Sequence, residues 1–140
     1  MLAAATAAAE TAKKEKEFNQ ASTASNTQQA QQYKASGNAS YQKGKYKEAY
    51  DEYTKGINMK CGDKSFEAIL HCNRAAALMA QKQYVHAAAD CDAALALDPC
   101  YSRALQRRVD VWTAMGDYKQ AVRDLQALIG PPHRLGAEAT

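Results

Sequence analysis

An all-α solenoid of three stacked helical hairpins is the fold the sequence predicts, and three observations carry that expectation. The first is internal repetition. The stretches GKYKEAYDEYTKGI (44–57), KQYVHAAADCDAAL (82–95) and GDYKQAVRDLQALI (116–129) align on Tyr46, Tyr84 and Tyr118, each followed three residues later by Ala49, Ala87 or Ala121. The tyrosines stand 38 and then 34 residues apart, a helical-repeat period with one short insertion. The second observation is an amphipathic stretch upstream of each tyrosine, at 30–43, 67–81 and 101–115, joined to its partner by a turn at KGK, QKQ or MGD. The third is the placing of small residues. Gly37, Ala49, Ala75, Ala87 and Ala121 let helices approach closely, while Tyr53, Cys91, Trp112 and Leu125 are expected to fill the spaces between neighbouring hairpins.

The elements follow in order. Residues 1–29 hold Ala, Thr, Ser, Gln and Lys with almost no large apolar side chain beyond Leu2 and Phe18, so they bury too little to offset their ordering entropy. They are expected to be flexible or partly helical, with 21–29 (ASTASNTQQ) as a linker. The folded region is expected at 30–130, as repeats 30–63, 68–101 and 102–130. Asp98-Pro99 closes the second repeat, because proline stops a helix and biases the residue before it away from helical geometry. Cys61-Gly62-Asp63 stands at the equivalent place after the first, where the longer connection lies. Gly130-Pro131-Pro132 stops the third, leaving 131–140 as a flexible tail with no capping helix. Leu125, Leu128 and Ile129 are then expected at the surface, where they favour self-association.

Composition narrows the function. A chain of 140 residues that is 46% hydrophobic holds one domain of ordinary size. A net charge of +3 with 24% charged residues lacks the polybasic character of a nucleic-acid binder, and no aromatic residues alternate with the basic ones to stack bases. No apolar run approaches the roughly 18 residues of a membrane span, so no membrane partner is expected. The first 18 residues have no secretory apolar region, and Glu10, Glu15 and Glu17 without arginine argue against a transit peptide. Cys61, Cys72, Cys91 and Cys100 show no CxxC spacing and read as reduced thiols in a cytoplasmic protein. Cys61, Cys72, His71 and His86 lack zinc-ligand spacing, and no cofactor is expected. His71 beside Cys72 is not a nucleophile pair, since adjacent helical side chains diverge and no third orienting group is present. The chain reads as noncatalytic.

One stretch, HCNRAAALM (71–79), resists explanation by packing alone. Asparagine is a poor mid-helix residue because its amide competes for backbone hydrogen bonds, so Asn73 points to a role outside its helix. KASGN (34–38), CNRAAA (72–77), ADCDAALALDPCYSRALQRR (89–108) and GDYKQAVRDLQAL (116–128) supply the context. Residues 30–130 resemble tetratricopeptide repeats (TPRs) of the dicarboxylate-clamp co-chaperone type, above all the C-terminal repeats of DnaJ-like TPR proteins, although no HPD tripeptide occurs in the chain. The resemblance implies a clamp built from Lys34 and Asn38 on the first hairpin, Asn73 on the second, and Arg103 and Arg107 on the third. Arg103 stands where lysine is usual, which keeps the charge and changes the donor geometry.

The implied partner is the acidic C-terminal tail, ending Glu-Glu-Val-Asp, of cytosolic heat-shock chaperones of the seventy- and ninety-kilodalton classes. The alternative is a TPR scaffold for a non-chaperone protein. Lys34 and Asn38 are spaced i, i+4, as are Arg103 and Arg107, so each pair shares a helix face. First helices of successive hairpins line the concave side of such a solenoid, which directs both pairs and Asn73 toward one groove. Tyr41, Ala77 and Arg108 are candidate secondary peptide contacts, and Arg74 reads as packing along its helix.

Overall fold

The computed structural model describes residues 25–129. The expectations for residues 1–24, for the tail 131–140 and for the missing capping helix lie outside the described residues. Six helices make up the described chain: α1 (25–42), α2 (Tyr46–Asn58), α3 (Lys64–Ala80), α4 (Tyr84–Leu97), α5 (Ser102–Met115) and α6 (Tyr118–Ile129). Each packs on the next in sequence, and α3 also packs on α5, so the first helices of successive hairpins stack. No strand occurs among the described residues.

Two boundaries differ from expectation. Helix α1 is already formed at residue 25, so 25–29 are not linker. No glycine or proline interrupts 25–30, and fully buried Ala30 ties that turn to the core. Helix α3 begins at Lys64 rather than near 67, because the Asp63 carboxylate caps it by accepting the Phe66 backbone N–H at 3.2 Å.

The three turns inside the hairpins share one backbone device. Gly44, Lys82 and Gly116 have φ of 77°, 61° and 80°, and they stand 38 and 34 residues apart, the register of the tyrosines. Glycine adopts this left-handed geometry freely, whereas a side chain there costs about 1–2 kcal/mol. Lys82 therefore carries local strain that its two counterparts avoid.

The core is made of small side chains. Ala49, Ala75, Ala87 and Ala121 are buried as the repeat register requires, and Leu70, Val111, Cys72 and Cys91 are the largest side chains that are fully buried. Tyr53 and Cys91 lie within this core, and Trp112 packs against it. Leu125 does not fill an inter-hairpin space: it is 40% exposed, on a face of α6 that also shows Tyr118, Val122 and Ile129. Helix α6 ends the described solenoid, so this face has no following hairpin to cover it among the described residues.

Two buried ion pairs lock hairpins internally. Arg74 on α3 donates through Nε and Nη2 to Asp90 on α4 at 2.8 and 2.6 Å, and Arg108 on α5 donates in the same way to Asp124 on α6 at 2.7 Å each. Both arginines and both aspartates are 34 residues apart, so this pair is a repeat feature too. Asp90 and Asp124, each 5% exposed, are the buried charged residues among those described. Their remaining lone pairs are satisfied by His71 Nδ1 at 3.2 Å from Asp90 and by Trp112 Nε1 at 3.2 Å from Asp124. Burial alone would raise the Asp90 carboxyl, but the hydrogen bonds from His71 and Arg74 overcome it and hold the group below its ordinary value.

Candidate peptide groove

The five clamp candidates sit on the first helices of the three hairpins: Lys34 and Asn38 on α1, Asn73 on α3, Arg103 and Arg107 on α5. Asn38 is a junction among three helices. Its Oδ1 accepts a short hydrogen bond from the Tyr53 hydroxyl on α2 and a longer one, 3.4 Å, from Asn73 Nδ2 on α3. The two asparagines, 35 residues apart in sequence, are thereby joined side chain to side chain. Lys34, one turn before Asn38, extends its ammonium over the Phe66 ring, 5.3 Å from the centroid.

Arg107 lies close to the same junction. Burial pushes the Tyr53 hydroxyl up to about 12, reinforced by Tyr41, while the Arg107 charge opposes that rise. Burial likewise raises the Tyr101 hydroxyl, against the charges of Arg103 and Arg107. The Arg107 charge is thus felt at Tyr53 on the first hairpin, and the charges of both α5 arginines at Tyr101. The Arg107 Nε is buried and makes no hydrogen bond, the one such side-chain atom among the described residues. A buried donor without a partner costs about 1–3 kcal/mol, and this N–H is itself shielded from a ligand; Arg107 as a whole is half-buried, so it is the outer guanidinium nitrogens that a ligand can reach.

The secondary candidates divide differently. Tyr41 is 36% exposed and meets Tyr46 edge-on with ring centroids 5.2 Å apart, so its surface is accessible. Ala77 is not: at 0% exposure it packs with Ala49, Tyr53 and Leu70, and no ligand can touch its side chain. Arg108 is engaged by Asp124 and, through Nη1, by Asp92 at 2.8 Å, so its fork is committed to the fold. Both are corrections with one cause: neighbouring positions on a helix face different sides, and Arg108 points to α6 where Arg107 does not. Arg74 does not lie along its own helix as expected: it crosses to Asp90 on α4 and to Thr54 on α2, with its guanidinium 5.5 Å from the Tyr50 ring centroid. Sequence reasoning placed Tyr53 in the packing and missed its hydroxyl; the adjoining Gly37-Asn38 pair was the available signal.

Among the described residues no group of His, Cys, Asp and Glu could hold a metal, and the four cysteines are free thiols. Burial, with Cys72 nearby, raises the Cys91 thiol to about 12, which keeps it protonated.

No model of a known protein family matches the chain. Individual proteins do. The DnaJ homolog subfamily C member 7 homolog of Schizosaccharomyces pombe is 34% identical over 96 residues, which cover 69% of this chain and 20% of that protein. The chain thus spans about a fifth of the length of this curated relative. Among solved structures, the second TPR of Spaghetti (RPAP3) bound to the HSP90 peptide SRMEEVD is 35% identical, with a TM-score of 0.68 over 75% of this chain and 94% of that one. The second TPR domain of human RPAP3 in complex with the HSP70 peptide SGPTIEEVD is also 35% identical, with a TM-score of 0.68 over 74% of this chain and 83% of that one. Three helical hairpins whose landmark tyrosines stand 38 and 34 residues apart, together with these likenesses over 94% and 83% of the matched domains, show that the chain belongs to the tetratricopeptide-repeat family and is homologous to its co-chaperone domains.

Proposed function

We propose that this chain is a noncatalytic co-chaperone module that captures the free, acidic C-terminal tail of cytoplasmic heat-shock chaperones, with Lys34, Asn38, Asn73, Arg103 and Arg107 as the carboxylate-binding set. The observation that carries this reading is the side-chain hydrogen bond between Asn38 on α1 and Asn73 on α3, with the Arg107 charge of α5 acting on the Tyr53 hydroxyl that bonds the same Asn38. A peptide ending in aspartate brings two carboxylates, from its side chain and its terminus, and C-terminal carboxylate capture is an established mode of recognition. Cations on α1 and α5 with neutral amide donors between them match such a ligand. Hydrogen bonds to charged groups contribute about 1.5–3 kcal/mol each, and a few suffice for the roughly 8 kcal/mol of micromolar binding. Tyr41 is a further contact at the accessible edge.

The test is calorimetric titration of the heptapeptide SRMEEVD into the chain and into an Arg107→Glu variant. Micromolar binding that the substitution abolishes supports the reading, and unchanged affinity in the variant refutes it in favour of a scaffold for a non-chaperone partner. Self-association through the exposed face of α6 is a separate proposal, checked by whether sedimentation depends on concentration.

A further inference from the structure

We infer that Tyr53 is a positioning residue for the groove: its hydroxyl fixes the orientation of the Asn38 side-chain amide so that both N–H donors are presented to a ligand carboxylate. The inference rests on the clamp reading and adds to it a residue that touches no ligand. An asparagine amide has one acceptor and two donors, and turning it by half a rotation exchanges them. Turned one way, Asn38 offers hydrogen-bond donors to an anion; turned the other, it offers a carbonyl oxygen that repels one.

Both intramolecular bonds that Asn38 makes end on its Oδ1, from the Tyr53 hydroxyl and from Asn73 Nδ2. Neither Asn38 N–H has a partner among the described residues, so both remain for a ligand. The Tyr53 ring is held by the core: it is 2% exposed and clusters with Ala49, Leu70 and Ala77. Gly37 makes its approach to α1 possible. A Cβ on residue 37 would fall 2.5 Å from Tyr53 Cε1 and 2.7 Å from Cδ1, closer than side-chain carbons come. Gly37 and Asn38 thus act in sequence, the glycine admitting the ring and the asparagine receiving its hydroxyl. The hydroxyl remains a donor at any ordinary pH, since burial pushes it up to about 12.

The experiment is a double-substitution cycle read by SRMEEVD titration. Tyr53→Phe removes only the hydroxyl oxygen, so melting should change little while affinity falls roughly three- to tenfold, the range of one misdirected hydrogen bond. In an Asn38→Ala background the same change should alter affinity less than about twofold, because the group through which Tyr53 acts is gone. No loss in the native background, or an equal loss in both, overturns the inference. An independent reading on the unaltered protein is the Asn38 side-chain NH2 pair in 15N spectra. Both protons should exchange freely and shift when SRMEEVD is added. A slowly exchanging pair that the peptide does not move means the amide is turned the other way, and the inference fails. Arg107→Glu separates the two levels: if Tyr53→Phe is silent while Arg107→Glu abolishes binding, the clamp stands without the Tyr53 relay; if Arg107→Glu is silent, the clamp itself fails.

Discussion

Arginine 107 and arginine 108 are adjacent in sequence and opposite in employment. Arg108 forms a fork to Asp124 and a bond to Asp92, which raises its affinity for the proton further and fixes α5 to α6, whereas the Nε of Arg107 is buried without a partner. The two substitutions should therefore fail differently. Arg107→Glu should abolish tail binding in a chain that still folds, while Arg108→Ala should lower the melting temperature because it leaves Asp124 buried without its cation, a loss of about 3–5 kcal/mol for a broken buried pair. Arg103→Lys should keep affinity within about threefold, since charge carries most of its contribution at an exposed position. Asn73→Ala should weaken peptide binding about tenfold without unfolding the chain, one charge-assisted hydrogen bond's worth. At this scale it was the resemblance to clamp-type repeats that named the five candidate positions, and the structure sets them on the first helices of the three hairpins. The burial of Ala77, the commitment of Arg108 and the Tyr53 hydroxyl were not legible, because each depends on which way one side chain leaves its helix.

The element scale turns on the hairpin turns and the close helix contacts. Lys82 adopts the φ of 61° that Gly44 and Gly116 reach with no side chain to strain. Lys82→Gly should stabilise the fold by about 0.5–1 kcal/mol, somewhat less than the left-handed strain because glycine loses more entropy on folding. For a domain of this size that is an upward shift of a few degrees in thermal melting. The opposite effect is expected at Ala87, fully buried where α4 packs in the core: Ala87→Leu should destabilise by about 1–3 kcal/mol through overpacking. Lys119→Glu, exposed on α6, is the matched control and should alter neither melting nor binding. The hairpins were legible because tyrosine, alanine and turn recur in phase. The start of α3 was not, since Asp63 acts as a cap only once Phe66 N–H is brought to it, and no repeated position marked it.

At the scale of the whole molecule, two internal ion pairs stiffen the second and third hairpins and engage Arg74 and Arg108, neither of them a proposed clamp residue. Asp90 is held below its ordinary value, so its contribution to stability is fully present above the unfolded carboxyl value near 4 and is lost as pH falls through the lower folded value. Acid unfolding should begin below about pH 4, and Asp90→Asn should lower melting at neutral pH while removing part of that acid sensitivity, as thermal melts across pH will show. Peptide binding should respond to salt instead, because charges at an open groove are screened over about 8–10 Å near physiological ionic strength. The most direct measurement of the central claim is a comparison of SRMEEVD as its free acid with the same peptide amidated at the C-terminus, titrated at low and at physiological salt. The free acid should bind with micromolar Kd, the amide at least about tenfold more weakly, one charge-assisted bond's worth, and the difference should shrink as salt rises. Equal affinity for the two peptides would contradict a groove that grips the terminal carboxylate.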